Sequence, residues 1–506
     1  MATIPEMQNK IHKLPTNLDR LDGIVNGPAS GPDSVVNTDS GPVKTVSRLA
    51  QEAAADAGTR AAIDGNNVSA YGSAWRSAIN VPSNADRRLM GVPFNNKVAF
   101  LGDSITSSGI DNDANNIRNT ARGMLFWVPT LTRQAFVSSQ SLNFGVSGDT
   151  TAGALSRVQQ VIDSGAGICV VLIGTNDITG PVATTKANLA EIYRRLTQAN
   201  ILTIAMTILP RTAPSTATYG WLNTINRWIE KQESNYPNLR VINASRWFGD
   251  PFSLTNSPNP GYTYDGLHPV AIGARYMSKP VADYLLTLKN PKVREISTVT
   301  DHYWPGDNET GYMNHNPMLG GTGGSVSGGI TGVAADSWNL TTSAGGGDLS
   351  GLSITASKNV DAETGMPTQR IEYAGNVTGG WQTIIAMGQW GMPYQEHFVP
   401  GDKVEFIVEL KAIGSLQALA GITPFLSIQQ NGVWKAVYGG STVVGELWTL
   451  DNFHGVIKTP PLTITHALAA GEVARCDIWA YFINTPQTGV AGAFDIISAA
   501  VRKVID

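Results

Sequence analysis

Between about residues 85 and 290 the chain alternates continuous apolar runs with amphipathic stretches. The candidate strands are Val98–Leu101, Leu142–Val146, Ile168–Ile173, Ile201–Ile208 and Leu239–Asn243, several of them apolar throughout. An unbroken apolar run is what a parallel strand covered on both faces requires. Between two of these runs, Leu189, Ile192, Tyr193 and Leu196 fall on one helical stripe, and Leu222, Ile225, Trp228 and Ile229 form a second. This alternation predicts an α/β domain with helices on both faces of a parallel sheet.

After about Pro291 the helical period fades. The glycine-rich stretch Gly320–Gly324 reads as a loop, because no Gly-Lys-Ser/Thr follows to make a phosphate cradle. Further on the period becomes two. Val404, Phe406, Val408 and Leu410 oppose Lys403, Glu405, Glu409 and Lys411, while Cys476, Ile478, Ala480 and Phe482 oppose Arg475, Asp477, Trp479 and Tyr481. Short alternating strands punctuated by Gly, Pro and Asn predict an antiparallel β-sandwich.

At the other end, the segment up to about Pro42 is rich in Pro, Gly, Ser, Asn and Asp and predicts irregular or extended chain. From Val43 to about Ala62 the residues Val43, Val46, Leu49 and Ala53 recur at helical spacing. A short helix cannot bury its stripe alone, and self-association is the simplest way to cover it. The expected organisation is an N-terminal segment over 1–84, an α/β domain over 85–290, a linker over 291–315 and a sandwich over 316–506.

Composition narrows the classes. A chain of 506 residues is too long for one ordinary domain. With 15% charged residues, 53 glycines and 12 tryptophans, it favours β-rich, loop-rich parts over helical bundles. A net charge of -4 without a basic run argues against nucleic acid as a partner. The two cysteines, Cys169 and Cys476, fall in different expected domains, which excludes a disulfide framework. No apolar stretch is long enough to insert into a bilayer. Met1–Pro5 opens no basic region followed by an apolar core, so no cleaved leader is expected. No His-Glu-x-x-His or paired-cysteine spacing is present, so a zinc-dependent amidase is disfavoured and O-ester cleavage favoured over removal of N-acetyl groups; no metal or cofactor is expected.

The chemistry concentrates at strand ends. Val98–Leu101 runs into Gly102-Asp103-Ser104 and a helix, which holds one hydroxyl at the end of a buried strand. A serine hydroxyl is a weak nucleophile and needs a base within hydrogen-bond reach, itself oriented by a third group. Asp265-Gly266-Leu267-His268-Pro269 offers an acid and an imidazole three residues apart on one loop. The oxyanion formed in such chemistry needs donors aimed at it. Ser147-Gly148-Asp149 and Gly174-Thr175-Asn176-Asp177 follow two further strands, where a Gly148 N–H and an Asn176 amide can donate. Ligands of open parallel sheets bind beyond the carboxyl ends of strands, where these groups lie. Asp103 is expected to form the turn rather than take part in the reaction. Position 106 is threonine, so the Gly-x-Ser-x-Gly elbow of another hydrolase class is missing.

Four blocks in order, Gly102-Asp103-Ser104, Asn143 to Thr150, Gly174 to Asp177 and Asp265 to Pro269, make residues 90–290 resemble the SGNH hydrolases, or GDSL-like esterases. The resemblance implies a flavodoxin-like three-layer fold with Ser104 as nucleophile, His268 as base and Asp265 as its orienter. It also implies an oxyanion hole of the Ser104 N–H, the Gly148 N–H and the Asn176 side chain. The reaction implied is two-step acyl transfer.

Leu14 to Gly31 with Val43 to Leu49 resembles the N-terminal region of bacteriophage tail fibre and tailspike proteins. That resemblance implies attachment to phage tail or baseplate proteins, a homotrimer, and a place on the virion acting at the host surface. The C-terminal region, from Asn314–Leu319 onward, resembles carbohydrate-binding sandwiches. Trp338, Trp381, Trp390, Trp434, Trp448 and Trp479 are candidates to stack on sugars, although most tryptophans are core residues. His302, His315, His397, His454 and His466 show no partner. The combined expectation is an esterase that removes O-acetyl groups from a bacterial surface polysaccharide, either capsule or O-antigen. The alternatives are a receptor-binding fibre with a silent hydrolase scaffold, and a lipase or thioesterase.

Overall fold

The computed structural model describes residues 35–38, 41–44, 95–212, 215–288, 300–344, 349–378, 383–441, 446–448 and 450–504. The chain divides into two compact units, Met1–Asp86 and Arg87–Asp506. In the first, β1 (Val35–Thr38) pairs antiparallel with β2 (Gly41–Lys44). Val43 and Lys44 therefore belong to a strand, not to the start of the expected helix, whose remaining residues lie outside those described. The pairing accounts for this: Val36 lies opposite Val43 and Val35 opposite Lys44.

In the second unit, β3 (Val98–Gly102) leads into the short helix α1 (Ser104–Ser107). Then come β4 (Asn116–Thr120), α2 (Met124–Leu131), β5 (Asn143–Gly145), α3 (Thr151–Asp163), β6 (Ile168–Leu172) and α4 (Val182–Gln198). The series closes with β7 (Leu202–Met206), α5 (Thr216–Glu230), β8 (Leu239–Ile242), α6 (Ala244–Phe248) and α7 (Ala271–Leu286). Five strands form an all-parallel sheet in the order β5-β3-β6-β7-β8. This is the 2-1-3-4-5 order of flavodoxin-like folds, whose crevice opens where the order reverses, beside the first and third strands. Every residue of β3, β6 and β7 is buried, as their apolar runs require. One face packs the α4 stripe (Leu189, Ile192, Tyr193, Leu196) and Leu222, Ile225 and Ile229 of α5, with Trp228 partly buried against them.

The C-terminal region begins with β9 (Ser325–Val326), β10 (Ile330–Gly332), β11 (Asn339–Ala344), β12 (Leu352–Val360) and β13 (Pro367–Val377). It continues with β14 (Thr383–Trp390), β15 (Lys403–Ile413), β16 (Leu419–Gln430) and β17 (Val433–Ser441). Last come β18 (His454–Lys458), β19 (Leu462–Thr463), β20 (Ala474–Phe482) and β21 (Gln487–Val504). Two sheets form, one ordered β10-β12-β13-β21-β15-β18 with β19 beside β15, the other β4-β17-β16-β20-β14-β11-β9. Most pairings are antiparallel, and the inward rows Val404–Leu410 and Cys476–Phe482 are buried as alternation demands. Glu405 breaks the expected pattern. It is buried, with Lys458 and Arg502 each 3.1 Å from its carboxylate.

One strand crosses between the two regions. β4 follows α1 out of the parallel sheet and pairs with β17 as the edge of a sandwich sheet, with Ile117 opposite Val437 and Arg118 opposite Tyr438. Behind it, Trp127 of α2 meets Trp448, with ring centres 5.1 Å apart and nearly edge to face. Trp448 and Trp338 are fully buried, which removes both from the candidate sugar contacts. Trp381 lies outside the described residues. Trp390 and Trp434 are 60% and 38% exposed, and Trp479 is half-buried.

Several histidines that show no partner in sequence have one in space. His302 stacks on Tyr394, His454 meets Glu409 at 2.7 Å, and His466 meets Thr465 at 2.8 Å. Cys169 and Cys476 are buried free thiols. Among the described residues, no helix is long and apolar enough to cross a membrane, and no cluster of His, Cys, Asp and Glu could hold a metal ion.

Candidate active site

The site forms where β3 ends. Asp103 is buried, and its Oδ1 accepts the Ile105 N–H at 3.0 Å, which turns the chain sharply into α1 and presents Ser104. The residue is the turn former expected from sequence. Burial pushes its carboxyl up to about 6, against the pull of the Ile105 N–H and nearby His268.

The loop before α7 arrives from 164 residues further along the chain and meets this hydroxyl. His268 Nδ1 lies 2.7 Å from Asp265 Oδ2, and His268 Nε2 lies 2.8 Å from Ser104 Oγ. With Nδ1–H donating to the carboxylate, Nε2 is left to accept the Ser104 proton, so the carboxylate fixes the tautomer. The loop is built around Asp265. Its Oδ1 accepts the Leu267 N–H at 3.0 Å and the His268 N–H at 2.7 Å. Burial pushes the Asp265 carboxyl up, but these donors and the imidazole outweigh it and hold the group below its ordinary value. Gly266 sits at φ +82, where a Cβ would also meet the Thr212 side chain at 2.8 Å. Only glycine folds the loop this tightly.

The two expected donor loops flank Ser104. Gly148 follows β5 at φ +76, and a Cβ there would meet nothing within 4 Å, so that side of the residue is open. Asn176 follows β6 in a single 3-10 turn, Thr175–Asp177. Its amide donates to the Asp149 carbonyl at 2.8 Å, which ties the two loops together and leaves the second amide hydrogen for a ligand. Asp177 braces the same crossing, its carboxylate accepting the Thr151 N–H at 2.9 Å and the Thr151 hydroxyl at 2.6 Å. Arg157 pairs with Asp149 and donates to the Gly102 carbonyl at 3.1 Å.

The sequence reading missed four side chains around this site. Arg211 donates to the Thr175 carbonyl at 3.3 Å, beside Asn176, while the neighbouring Thr212 N–H donates to Gly266 at 2.8 Å. Tyr264 lies nearly parallel to the His268 ring, 15° off with centres 5.7 Å apart. Arg122 sits over Tyr264, and Glu446 pairs with Arg122. The composition of the loop around Asp265 and His268 flags Tyr264; Glu446 carries no signal at all, since its partners are remote in sequence.

The arrangement pairs a nucleophile with an oriented base beside donors at a sheet crevice, which suits attack on an ester carbonyl. Residues 100–276 match the GDSL-like lipase/acylhydrolase family, and this segment is a carboxylic ester hydrolase domain of that type. Solved structures similar to the chain include a putative lipolytic protein of the G-D-S-L family from Desulfitobacterium hafniense. It is 18% identical, with 37% of this chain and 99% of that chain covered and a TM-score of 0.31. A GDSL-like lipase from Bacteroides thetaiotaomicron is 20% identical over 40% of this chain and 95% of its own, with a TM-score of 0.30. An acetylxylan esterase from Geobacillus stearothermophilus is 16% identical over 40% of this chain and 99% of its own, with a TM-score of 0.32. No curated protein matches the chain.

Proposed function

We propose that Ser104, His268 and Asp265 act as nucleophile, base and orienter of a serine esterase that removes O-acetyl groups from a bacterial surface polysaccharide. The observation that carries this reading is the unbroken chain from Ser104 Oγ to His268 Nε2 at 2.8 Å and from His268 Nδ1 to Asp265 at 2.7 Å. His268 takes the Ser104 proton as the hydroxyl attacks the ester carbonyl. The oxyanion rests on the Ser104 and Gly148 N–H groups and the Asn176 amide. The alcohol leaves with the proton from His268, and water then releases acetate from the acyl-serine by the same base.

A sugar ester is favoured over a long acyl chain because the loops at this end of the sheet carry Asn176, Arg211, Thr212, Arg122 and Tyr264. A long chain needs an apolar channel. The exposed pair Trp390 and Trp434, with ring centres 6.0 Å apart and the Arg475 guanidinium 4.6 Å from the Trp390 ring, offers a surface for a glycan. The resemblance of the N-terminal segment to phage tail proteins supports a place on a phage tail as a homotrimer, reaching polysaccharide during attachment.

The test is hydrolysis of a chromogenic acetate ester and of O-acetylated capsule or O-antigen followed by NMR, with wild type and Ser104→Ala side by side. Wild type is expected to release acetate from the polysaccharide, and Ser104→Ala to lose at least about 1,000-fold in kcat. Equal turnover by both proteins refutes the assignment of Ser104. Binding of polysaccharide with no ester cleaved favours a silent scaffold, and rates that rise with acyl length favour a lipase.

A further inference from the structure

The loop that carries His268 is held from outside the hydrolase segment. Arg122 Nε donates to Glu446 Oε1 at 2.8 Å, and Arg122 Nη2 closes on the same oxygen. The other carboxylate oxygen, Oε2, accepts the N–H of Ala271 at 2.9 Å. Ala271 is the first residue of α7, whose cap residue Val270 offers no side-chain acceptor. Glu446 thus caps a helix that starts three residues after His268, with a negative charge where the helix end favours one. The guanidinium it holds lies 4.5 Å from the centre of the Tyr264 ring, and that ring lies along the imidazole. Tyr264 is 53% exposed, so core packing does not set its orientation. The Glu446 side chain is 9% exposed and meets all three donors.

We propose that Glu446, carried by the sandwich region, is a positioning residue for His268, acting through Arg122 and Tyr264 and through the start of α7. The proposal rests on the esterase reading. It makes the C-terminal region a working part of the active site, whatever glycan its outer surface also holds. Two effects follow when the carboxylate is lost. The imidazole loses one wall of the slot that aims Nε2 at Ser104. In addition, the Arg122 charge is left unpaired on a tyrosine ring that itself lies along the imidazole, and a cation on that side opposes the charge His268 gains as it takes the serine proton.

The test uses the full chain and a small chromogenic acetate. Glu446→Gln is expected to lower kcat roughly 10- to 100-fold, the scale of a misplaced catalytic group, with KM within about twofold of wild type. Tyr264→Leu leaves the buried ion pair intact and is expected to show the same split. The double variant is expected to lose no more than the worse single variant, because both break one chain of contacts. Glu446→Asp is expected to recover part of the loss. A kcat loss no greater than the loss of folded protein, full activity in Tyr264→Leu, or additive losses would each overturn the proposal.

A second readout does not depend on turnover. In protein labelled with 15N-histidine, the ring N–H signal of His268 is expected to persist in Ser104→Ala and to broaden or shift in Glu446→Gln. An unchanged signal in Glu446→Gln overturns the positioning role. Absence of turnover in wild type overturns the esterase reading instead.

Discussion

Asp103 shows how one buried carboxyl beside Ser104 ties stability to pH. Burial raises it from 3.8 to about 6, so the folded state holds its proton more tightly than the unfolded chain does. The sign follows from linkage: this contribution to stability is complete below pH 3.8 and is lost as pH rises through about 6. Asp103→Asn keeps an acceptor for the Ile105 N–H and has no charge to bury. Its stability relative to wild type is expected to rise by on the order of 2–3 kcal/mol between pH 4 and 7, read from urea unfolding at each pH. A flat difference across that range refutes the account. Asp477, buried and also raised to about 6, titrates in both proteins and cancels in the comparison. At this scale most of the site was legible. Ser104, Gly148, Asn176, Asp265 and His268 each sit in a short block whose residues explain the local turn. Glu446 and Arg122 were not legible, because a lone glutamate in a loop has no pattern until folding brings a helix start and a guanidinium to it.

Secondary elements carry the next layer. The 3-10 turn after β6 joins the loop after β5 through two side chains: Asn176 donates to the Asp149 carbonyl, and Asp177 holds both the Thr151 N–H and the Thr151 hydroxyl at the start of α3. Asp177→Ala is expected to cost about 1–2 kcal/mol, the value of a lost helix cap, seen as a lower urea midpoint. It is also expected to lower kcat while KM for a small ester holds, because Asn176 loses its braced neighbour. Unchanged kcat with lowered stability limits Asp177 to capping. The parallel strands were readable because β3, β6 and β7 bury both faces and so write continuous apolar runs. β4 was not readable. Asn116-Ile117-Arg118-Asn119-Thr120 has a single large apolar residue, and its strand character comes from β17, more than 300 residues away. The Val43 stripe misled for a related reason. Apolar spacing alone does not register a partner strand, and pairing with β1 takes Val43 into a strand.

Across residues 87–506 the two regions share a core. Phe126 and Trp127 of α2 pack on Trp448, with ring centres 5.3 and 5.1 Å away, and Trp127 also meets Phe453 at 6.4 Å. Gln134 donates to the Val456 carbonyl of β18 at 2.8 Å. Trp448→Ala is expected to destabilise by about 3–5 kcal/mol, as for other fully buried aromatic truncations. Loss of esterase activity and of near-ultraviolet circular dichroism are expected to coincide on heating, in both wild type and variant. Two separated transitions would mean that the sandwich melts by itself. That these residues combine an α/β part with a sandwich was visible in the change of hydrophobic period along the chain, but the fusion of the two was not. Contacts between distant surfaces leave no periodic mark on either segment.

The detour of β4 bears on how such a chain could be inherited or engineered. A recombination point placed anywhere after α7 would separate two pieces that each keep something belonging to the other. The hydrolase would carry five residues built to finish a foreign sheet, and the sandwich would expose the hydrogen-bonding edge of β17, an invitation to pair with a neighbouring molecule. Exchange of one sandwich for another therefore has to bring the matching insert between α1 and α2 with it, so the two regions travel as one heritable unit.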